Sequence, residues 1–216
     1  MPERAPATTV AGRPAVFLDK DGTLIEDVPY NVDPELVVFT RHALPALAML
    51  SGAGFALVVV TNQPGLESGR FSPGQFETLQ RALVERLREE GGIELDGFEV
   101  CPHLPDAQGQ PVCACRKPAP GMIERCATAN GFDLSRSWMV GDILNDIEAG
   151  RRAGCRTVLL DVGSETLWEM SPLREPHHRC ADLLEAARVI AGVASAGKRS
   201  DGAVPVRGSL ARAVAT

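Results

Sequence analysis

Short apolar runs alternate with helical segments along most of this chain, and this alternation constrains the fold more than any other feature. The segments between the runs repeat apolar residues at helical spacing, as Phe76, Leu79 and Leu83 do behind Ser72, a predicted N-cap. Strands that alternate with helices form a parallel sheet. The sequence therefore predicts an α/β fold: a doubly wound, Rossmann-like parallel sheet of about five strands with helices on both faces. The predicted strands span residues 15–18, 55–62, 97–101, 137–142 and 156–161.

The predicted sheet belongs to one domain with a short segment on either side. Residues 1–13 are polar and rich in proline, and we expect a flexible N-terminus there. Residues 14–195 are the predicted domain, which ends in a helix near residues 181–193. Residues 196–216 are small and polar and are predicted to be a disordered tail.

Composition and charge exclude several classes of protein. The 216 residues are 44% apolar and carry a formal net charge of −6, which gives no reason to expect nucleic acid as a partner. No apolar run approaches the ~20 residues of a membrane span, and the N-terminus has no apolar signal-peptide core. We therefore expect a cytoplasmic protein that binds neither nucleic acid nor membrane, and we take it to be a monomer.

Polar residues capable of chemistry follow four of the predicted strands. In a doubly wound sheet the ligand site lies at the carboxyl ends of the strands, where the strand order reverses. We therefore expect these side chains to surround one site. They are Asp19 and Asp21 after the first strand, Thr61, Asn62 and Gln63 at the second, Cys101 and His103 at the third, and Asp142 at the fourth.

Asp19 and Asp21 are like charges two residues apart at the end of a buried strand. Such carboxylates repel each other, and a hard cation removes the conflict. Mg²⁺ prefers oxygen ligands and needs few protein carboxylates, so Asp19, Asp21 and Asp142 are the predicted magnesium site. One carboxylate of the pair is then a candidate nucleophile toward phosphorus, and the other a candidate acid and base.

The neighbouring polar residues supply what a phosphoryl group requires. Thr61 offers a hydroxyl, Asn62 an amide and Lys117 a positive charge, and Gly22 lets the backbone turn toward the phosphate. Taken singly, a lysine or threonine at a strand end is more often solvated, and a Gly-Asp pair is more often a turn. The pair of adjacent aspartates is harder to explain structurally.

A second cluster of metal-binding residue types lies in residues 101–115. Three thiols and one imidazole form a closed tetrahedral set for structural Zn²⁺, although each Cys/His pair has one intervening residue instead of the usual two to four. Free cysteines, a redox pair and coincidence are the alternatives, and the tight clustering favours zinc. A metal-clamped loop would aim the following Arg116 and Lys117 at the carboxylates. The predicted zinc ligands are Cys101, His103, Cys113 and Cys115.

Four motifs in one order, FLDKDGT, VVVTNQ, CRKP and VGDILND, resemble the signature motifs of the haloacid-dehalogenase-like (HAD) phosphatase superfamily. The resemblance implies that Asp19 is the nucleophile that forms an aspartyl-phosphate. It implies that Asp21 is the general acid and base, and that its backbone carbonyl also binds Mg²⁺. Thr61 and Lys117 would steady the phosphoryl group, and Asp142 would be the remaining magnesium ligand.

The role of Asp146 in the fourth motif is left open by the sequence. It is either an outer carboxylate of the magnesium site or, with Glu148 and Arg152, part of the solvated face of a helix.

The pattern C-x-H…C-x-C-R-K-P resembles the zinc-loop branch of the superfamily, which holds D-glycero-D-manno-heptose 1,7-bisphosphate phosphatases and histidinol-phosphate phosphatases and has no large cap domain. The resemblance implies removal of the 7-phosphate of the heptose on the route to lipopolysaccharide and other surface glycans, with histidinol phosphate as the alternative. The intervals between strands leave no room for a cap, so we expect an open site bordered by residues 26–34. Ile143 stands where the branch can have a substrate-contacting lysine. Expected substrate contacts are Gly22, Thr23, Asn62, Gln63 and Arg116, the last of which matches a substrate-recognising position.

Two other classes of function are consistent with parts of the pattern. A receiver domain also has an acidic Mg²⁺ pocket, but it accepts phosphate at the end of its third strand, where Cys101 stands here. A zinc-organised binding module without activity would bind zinc and release no phosphate.

Overall fold

The computed structural model describes residues 12–201 of the chain, in which six parallel strands form one sheet in the order β3-β2-β1-β4-β5-β6. The doubly wound α/β fold with helices on both faces is confirmed. Most of the predicted flexible N-terminus (residues 1–13) and the predicted tail from residue 202 onward lie outside the described residues. The strands are β1 (Ala15–Leu18), β2 (Ala56–Asn62), β3 (Gly97–Cys101), β4 (Trp138–Gly141), β5 (Arg156–Leu160) and β6 (His178–Cys180).

The sixth strand is not predicted from the sequence, because only Cys180 of its three residues is buried and it therefore lacks an apolar run. It pairs with β5 at the edge of the sheet, where Leu160 lies opposite Cys180. The sheet thus extends one strand further than the predicted five.

Five helices cover the two faces of the sheet. Val16 and Leu18 of β1 pack into a core shared with α1, α2 and α5, whereas Ala15 and Phe17 face the opposite core, which includes residues of α3 and α4. This division follows from the two-residue period of a strand. The helices are α1 (Ala43–Gly52), α2 (Pro73–Gly91), α3 (Gly121–Asn130), α4 (Leu144–Arg152) and α5 (Leu183–Asp201).

The helix ends show where local sequence determines structure. The predicted N-cap Ser72 accepts a hydrogen bond from the backbone of Gln75, whose side chain in turn binds the Ser72 backbone.

Helix α5 runs beyond the predicted residue 193 to Asp201, so residues 196–201 are helical and not part of a disordered tail. No helix in residues 12–201 is long and apolar enough to cross a bilayer.

The strand order reverses between β1 and β4. From β1 the chain winds outward to β2 and β3 on one side, and from β4 to β5 and β6 on the other. Leu18 is paired with Val140, and the backbone N–H of Asp19 donates to the Val140 carbonyl at 3.0 Å. The carboxyl ends of β1 and β4 therefore form the crevice in which doubly wound sheets bind ligands.

Candidate active site

Three buried carboxylates meet at the crevice between β1 and β4. Oxygens of Asp19, Asp142 and Asp146 lie within 4.8 Å of one another. Asp19 directly follows β1, Asp142 directly follows β4, and Asp146 lies in the first turn of α4. The predicted convergence of Asp19 and Asp142 is therefore observed, with Asp146 as a third member.

Asp146 is not on a solvated helix face, so that alternative is wrong for this residue. Its side chain is fully buried and its Oδ1 atom lies 2.7 Å from Lys117 Nζ. Burial raises the pKa of Asp146 to about 7, against the opposing charge of Lys117. The neighbouring Glu148 is also largely buried, where it binds Arg152 and Arg174.

Lys117 lies between two members of the carboxylate cluster. Its buried Nζ donates to Asp19 Oδ1 at 2.5 Å and to the Val60 carbonyl at 2.9 Å, in addition to its contact with Asp146. Burial alone would lower the pKa of Lys117, but the charges of Asp146 and Asp19 outweigh it and raise this pKa. The lysine is therefore a fixed positive charge at the base of the site.

The carboxylate cluster has the excess negative charge and the closely spaced oxygen atoms that a divalent cation requires. Three carboxylates face one lysine, so two negative charges remain uncancelled when all the acids are ionised. Burial, and then the charge of Asp19, raise the pKa of Asp142 to about 6. Gly22 has a left-handed backbone (φ +77°), and a Cβ atom there would lie 2.0 Å from Asp142 Oδ2. The close approach therefore requires glycine.

Asp21 lines the same cavity but is not a member of the carboxylate cluster. Its Oδ1 atom accepts a hydrogen bond from Lys20 Nζ at 2.6 Å, and its Oδ2 atom accepts one from Gln63 Nε2 at 2.9 Å. Burial raises the pKa of Asp21, with Lys20 acting against the shift. Binding of the ion through the Asp21 backbone carbonyl, as the family resemblance implies, stays a prediction.

Some of the remaining predicted substrate contacts line the cavity, and others only hold lining residues in position. Gln63 Nε2 also donates to Thr61 Oγ1 at 2.9 Å, which leaves the threonine proton for a phosphoryl oxygen. Asn62 lines the cavity, but its amide binds the backbone of Lys117 twice, at 3.1 Å each. Thr23 is fully buried and donates to Asp142 Oδ1 at 3.3 Å, so its hydroxyl orients that carboxylate.

One cavity of about 480 Å³ is lined by the site residues Asp19, Asp21, Thr61, Asn62, Gln63, Lys117 and Asp142. The buried residues Asp19, Thr61 and Lys117 form its floor, and the exposed loop of residues 27–31 forms its rim. This rim falls within the segment 26–34 that the sequence places at the border of the site.

The Cys/His cluster forms a second, separate set of donors at the end of β3. The three sulfur atoms are 3.2 to 3.7 Å apart, and His103 Nδ1 lies 3.3 Å from Cys115 Sγ. Four ligands around Zn²⁺ with Zn–S bonds of about 2.3 Å place the sulfur atoms ~3.8 Å apart, so the cluster fits one tetrahedral zinc ion. None of its four donors lines the 480 Å³ cavity.

The Cys/His cluster also positions the residues that follow it. The Arg116 backbone N–H donates to Cys113 Sγ at 3.3 Å, and the Arg116 guanidinium donates to the His103 carbonyl at 3.0 Å. Arg116 does not line the cavity, although the resemblance implies a substrate contact for it. The adjacent Lys117 reaches the carboxylates, as the clamped loop predicts.

Comparison with known proteins decides the family. D-glycero-beta-D-manno-heptose-1,7-bisphosphate 7-phosphatase of Haemophilus ducreyi is 42% identical over 151 residues, which are 69% of this chain and 83% of the relative. The enzyme of the same name from Salmonella typhi is 39% identical over 68% of this chain and 79% of its own length. This chain is a HAD-like phosphatase. The HAD-hydrolase-like family model itself matches residues 114–186.

A solved structure supports the same assignment. The D,D-heptose 1,7-bisphosphate phosphatase from B. bronchiseptica, complexed with magnesium and phosphate, superposes on this HAD-like phosphatase with a TM-score of 0.69. It is 30% identical, and the match covers 83% of this chain and 99% of that one. Membership of an enzyme family sets aside the receiver domain and the non-catalytic zinc module.

Two residues of the site are not identified by the sequence analysis. Lys20 is buried and binds Asp21, and Ser164, from the loop after β5, lines the cavity beside Asp142, where it acts to lower the pKa of that carboxyl. Lys20 could have been predicted from the sequence, because it stands between the two aspartates of FLDKDGT, where a buried strand leads directly into the site. Ser164 lies in no motif, and only the tertiary fold brings it there.

Proposed function

We propose that this HAD-like phosphatase removes the 7-phosphate of D-glycero-D-manno-heptose 1,7-bisphosphate through an aspartyl-phosphate on Asp19, with Mg²⁺ bound beside it. The observation that carries the proposal is the set of buried carboxylates whose charge Lys117 only partly cancels, at the crevice between β1 and β4. The relatives named for this reaction support the choice of substrate.

Asp19 supplies the oxygen that attacks phosphorus. Lys117 Nζ donates to its Oδ1 atom, which leaves Oδ2 for the attack. A bond forms between Asp19 Oδ2 and phosphorus as the bond from phosphorus to the sugar oxygen breaks. Thr61 and Lys117 offer donors on the floor of the cavity for the phosphoryl oxygens.

Asp21 moves the proton in both halves of the reaction. The raised pKa of this half-buried carboxyl favours its protonated form at the start, when it gives a proton to the departing sugar oxygen. In the second half it takes a proton from the water that attacks the aspartyl-phosphate, which releases inorganic phosphate and restores Asp19. Lys20 and Gln63 hold one oxygen each and so orient the group.

The residues fit Mg²⁺ because they provide hard oxygen donors and excess negative charge. Asp19, Asp142 and the Asp21 carbonyl would hold the ion, and Asp146 would balance Lys117 behind them. When bound, Mg²⁺ offsets the negative charge of the acids and of the phosphoryl oxygens. Zn²⁺ in the Cys/His cluster has no open position and would be structural.

A comparison of phosphate release from two substrates tests the proposed reaction. With Mg²⁺ present, we expect kcat/KM for the heptose 1,7-bisphosphate to exceed that for histidinol phosphate by at least roughly tenfold. Phosphorus NMR of the product should show the 1-phosphate retained. Faster cleavage of histidinol phosphate, or release of the 1-phosphate, would contradict the proposal.

We further propose that the enzyme acts as a cytoplasmic monomer without nucleic-acid or membrane partners. Every residue assigned to the site belongs to one chain, and a net charge of −6 disfavours binding to anionic polymers. Light scattering of the active protein should give the mass of one chain, and a dimer at assay concentration would refute the monomer.

A further inference from the structure

An arginine is stacked on a tyrosine at the rim of the catalytic cavity; the tyrosine lines the cavity, and the arginine contacts it from outside the lining. The Arg70 guanidinium carbon lies 4.2 Å from the centre of the Tyr30 ring. Tyr30 lines the cavity and is 49% exposed. Its backbone is left-handed (φ 57°), which is rare for an aromatic residue and is maintained by the surrounding structure.

The turn that carries Arg70 is anchored on both sides. The Arg70 backbone N–H donates to the Gly65 carbonyl at 2.9 Å, and the next residue, Phe71, is buried against Phe76. The Glu67 carboxylate accepts a hydrogen bond from the Leu104 backbone in the Cys/His loop. The base of the arginine is therefore fixed, although its side chain is exposed.

The cavity carries more negative than positive charge, so an arginine near its rim is a candidate to bind an anionic substrate group. Four carboxylates line the cavity together with two lysines, and both lysines are already ion-paired, Lys20 with Asp21 and Lys117 with Asp19. Neither Arg116 nor Arg70 lines the cavity, but the Arg116 guanidinium already donates to the His103 carbonyl, and Ile143 offers no charge. A second anionic group on the substrate would meet repulsion at the rim unless a further cation received it.

Arg70 has the chemistry to receive such a group. Within residues 12–201 its guanidinium forms no ion pair with a carboxylate. Stacking on Tyr30 uses the face of the guanidinium and leaves the N–H donors at its edge available, in the fork geometry that binds phosphate through two hydrogen bonds.

We propose that Arg70, held in place by Tyr30, binds the phosphate that is not hydrolysed and so selects bisphosphorylated sugars. This inference rests on the proposed function. Arg70 is a specificity-determining residue that contacts the substrate far from the reacting phosphorus, and Tyr30 is its positioning residue.

The test compares the heptose 1,7-bisphosphate with the heptose 7-phosphate, which lacks the second phosphate. In Arg70→Gln, kcat/KM for the bisphosphate should fall about 10- to 100-fold, the range expected for losing charge-assisted hydrogen bonds, and the fall should reside mainly in KM. The 7-phosphate should change by about twofold at most, because it has no group for Arg70 to bind. Arg70→Lys should retain part of the preference, and Tyr30→Ala should lose part of it.

Arg81→Gln is the matched control, because Arg81 is exposed on α2 and does not line the cavity. Its ratio of kcat/KM for the two substrates should equal that of the wild type. An unchanged ratio in Arg70→Gln, or an equal loss on both substrates, would overturn the inference while the proposed function stands. If the wild-type enzyme does not hydrolyse the bisphosphate, the proposed function fails and the inference with it.

Discussion

Two groups of metal-binding side chains lie at the carboxyl edge of the same sheet, yet they differ in burial, charge and access. The carboxylate cluster of Asp19, Asp142 and Asp146 is buried, is paired with a lysine and borders the cavity. The Cys/His cluster is mostly half-exposed and has four donors around one point, none of which lines the cavity. The first arrangement leaves room for a substrate, whereas the second offers four donors that would close around a zinc ion.

The two clusters are connected through the backbone of residues 115–117. Cys115 belongs to the Cys/His cluster, and Lys117 pairs with the carboxylates. Asn62, at the end of β2, binds the Lys117 backbone on both its donor and its acceptor side. The proposed function therefore assigns the chemistry to the carboxylate cluster and the positioning of Lys117 to the Cys/His cluster.

The largest expected effect is the loss of turnover on replacing Asp19, which should leave zinc binding by the Cys/His cluster intact. Asp19→Asn should lower kcat at least ~10⁴-fold, because an amide cannot form the aspartyl-phosphate. Steady-state phosphate release with Mg²⁺ measures the loss, and the zinc content should stay at one per chain. Asp161→Asn, an exposed carboxylate after β5, is the control and should keep full activity. Substantial turnover by Asp19→Asn would eliminate the covalent mechanism.

Removing a zinc ligand should have an intermediate effect on both activity and stability. We expect Cys113→Ser to lose bound zinc, to lower kcat/KM about 10- to 100-fold and to lower Tm by several degrees or so. Metal analysis, kinetics and calorimetry measure the three quantities.

Cys155→Ala is the matched control, because Cys155 is buried in the core and its thiol is no part of the Cys/His cluster. It should keep one zinc per chain and wild-type kcat/KM. A Cys113→Ser protein that lacks zinc and retains wild-type kcat/KM would show that the two clusters are independent.

A smaller effect should follow when only the link between the clusters is cut. Asn62→Ala removes two hydrogen bonds to the Lys117 backbone, and we expect kcat to fall about tenfold. Zinc content should be unchanged, since within residues 12–201 the Asn62 amide hydrogen-bonds the Lys117 backbone and no side chain of the Cys/His cluster. A loss confined to KM would instead indicate that the Asn62 amide binds the substrate directly.

The last expected effect concerns stability and not turnover: a pH dependence of unfolding that is peculiar to the carboxylate cluster. Because folding raises the pKa of Asp142 from its ordinary 3.8 to about 6, the folded state holds this proton more tightly than the unfolded chain does. Its contribution to the free energy of unfolding therefore falls as pH rises from about 4 to about 6 when Mg²⁺ is absent, by on the order of 2 kcal/mol.

Urea unfolding between pH 4 and pH 7 measures this dependence with and without Mg²⁺. Asp142→Asn should show a smaller decline than the wild type, and Asp161→Asn the same decline. Saturating Mg²⁺ should flatten the wild-type curve, because a bound cation favours the ionised acids. Identical curves for wild type and Asp142→Asn would contradict the predicted burial of that charge.

The strand ends could be predicted from the sequence, because Asp19 and Asp142 each follow an apolar run and neighbouring strand ends must meet. The inward position of Asp146 could not be predicted, because it depends on how α4 lies against Lys117. Strand β6 was hidden for a similar reason: His178 and Arg179 are exposed, and pairing with β5 alone makes the segment a strand. Side-chain partners such as Asn62 with Lys117 also depend on packing between distant segments.

Trapping the covalent intermediate tests the central claim most directly. The enzyme is quenched during turnover and treated with borohydride, which reduces an aspartyl-phosphate to homoserine, and tryptic peptides are then sequenced by mass spectrometry. The account predicts homoserine at position 19, in the tryptic peptide that ends at Lys20, and none in enzyme without substrate. Homoserine at position 21, 142 or 146, or at no position during active turnover, would contradict it.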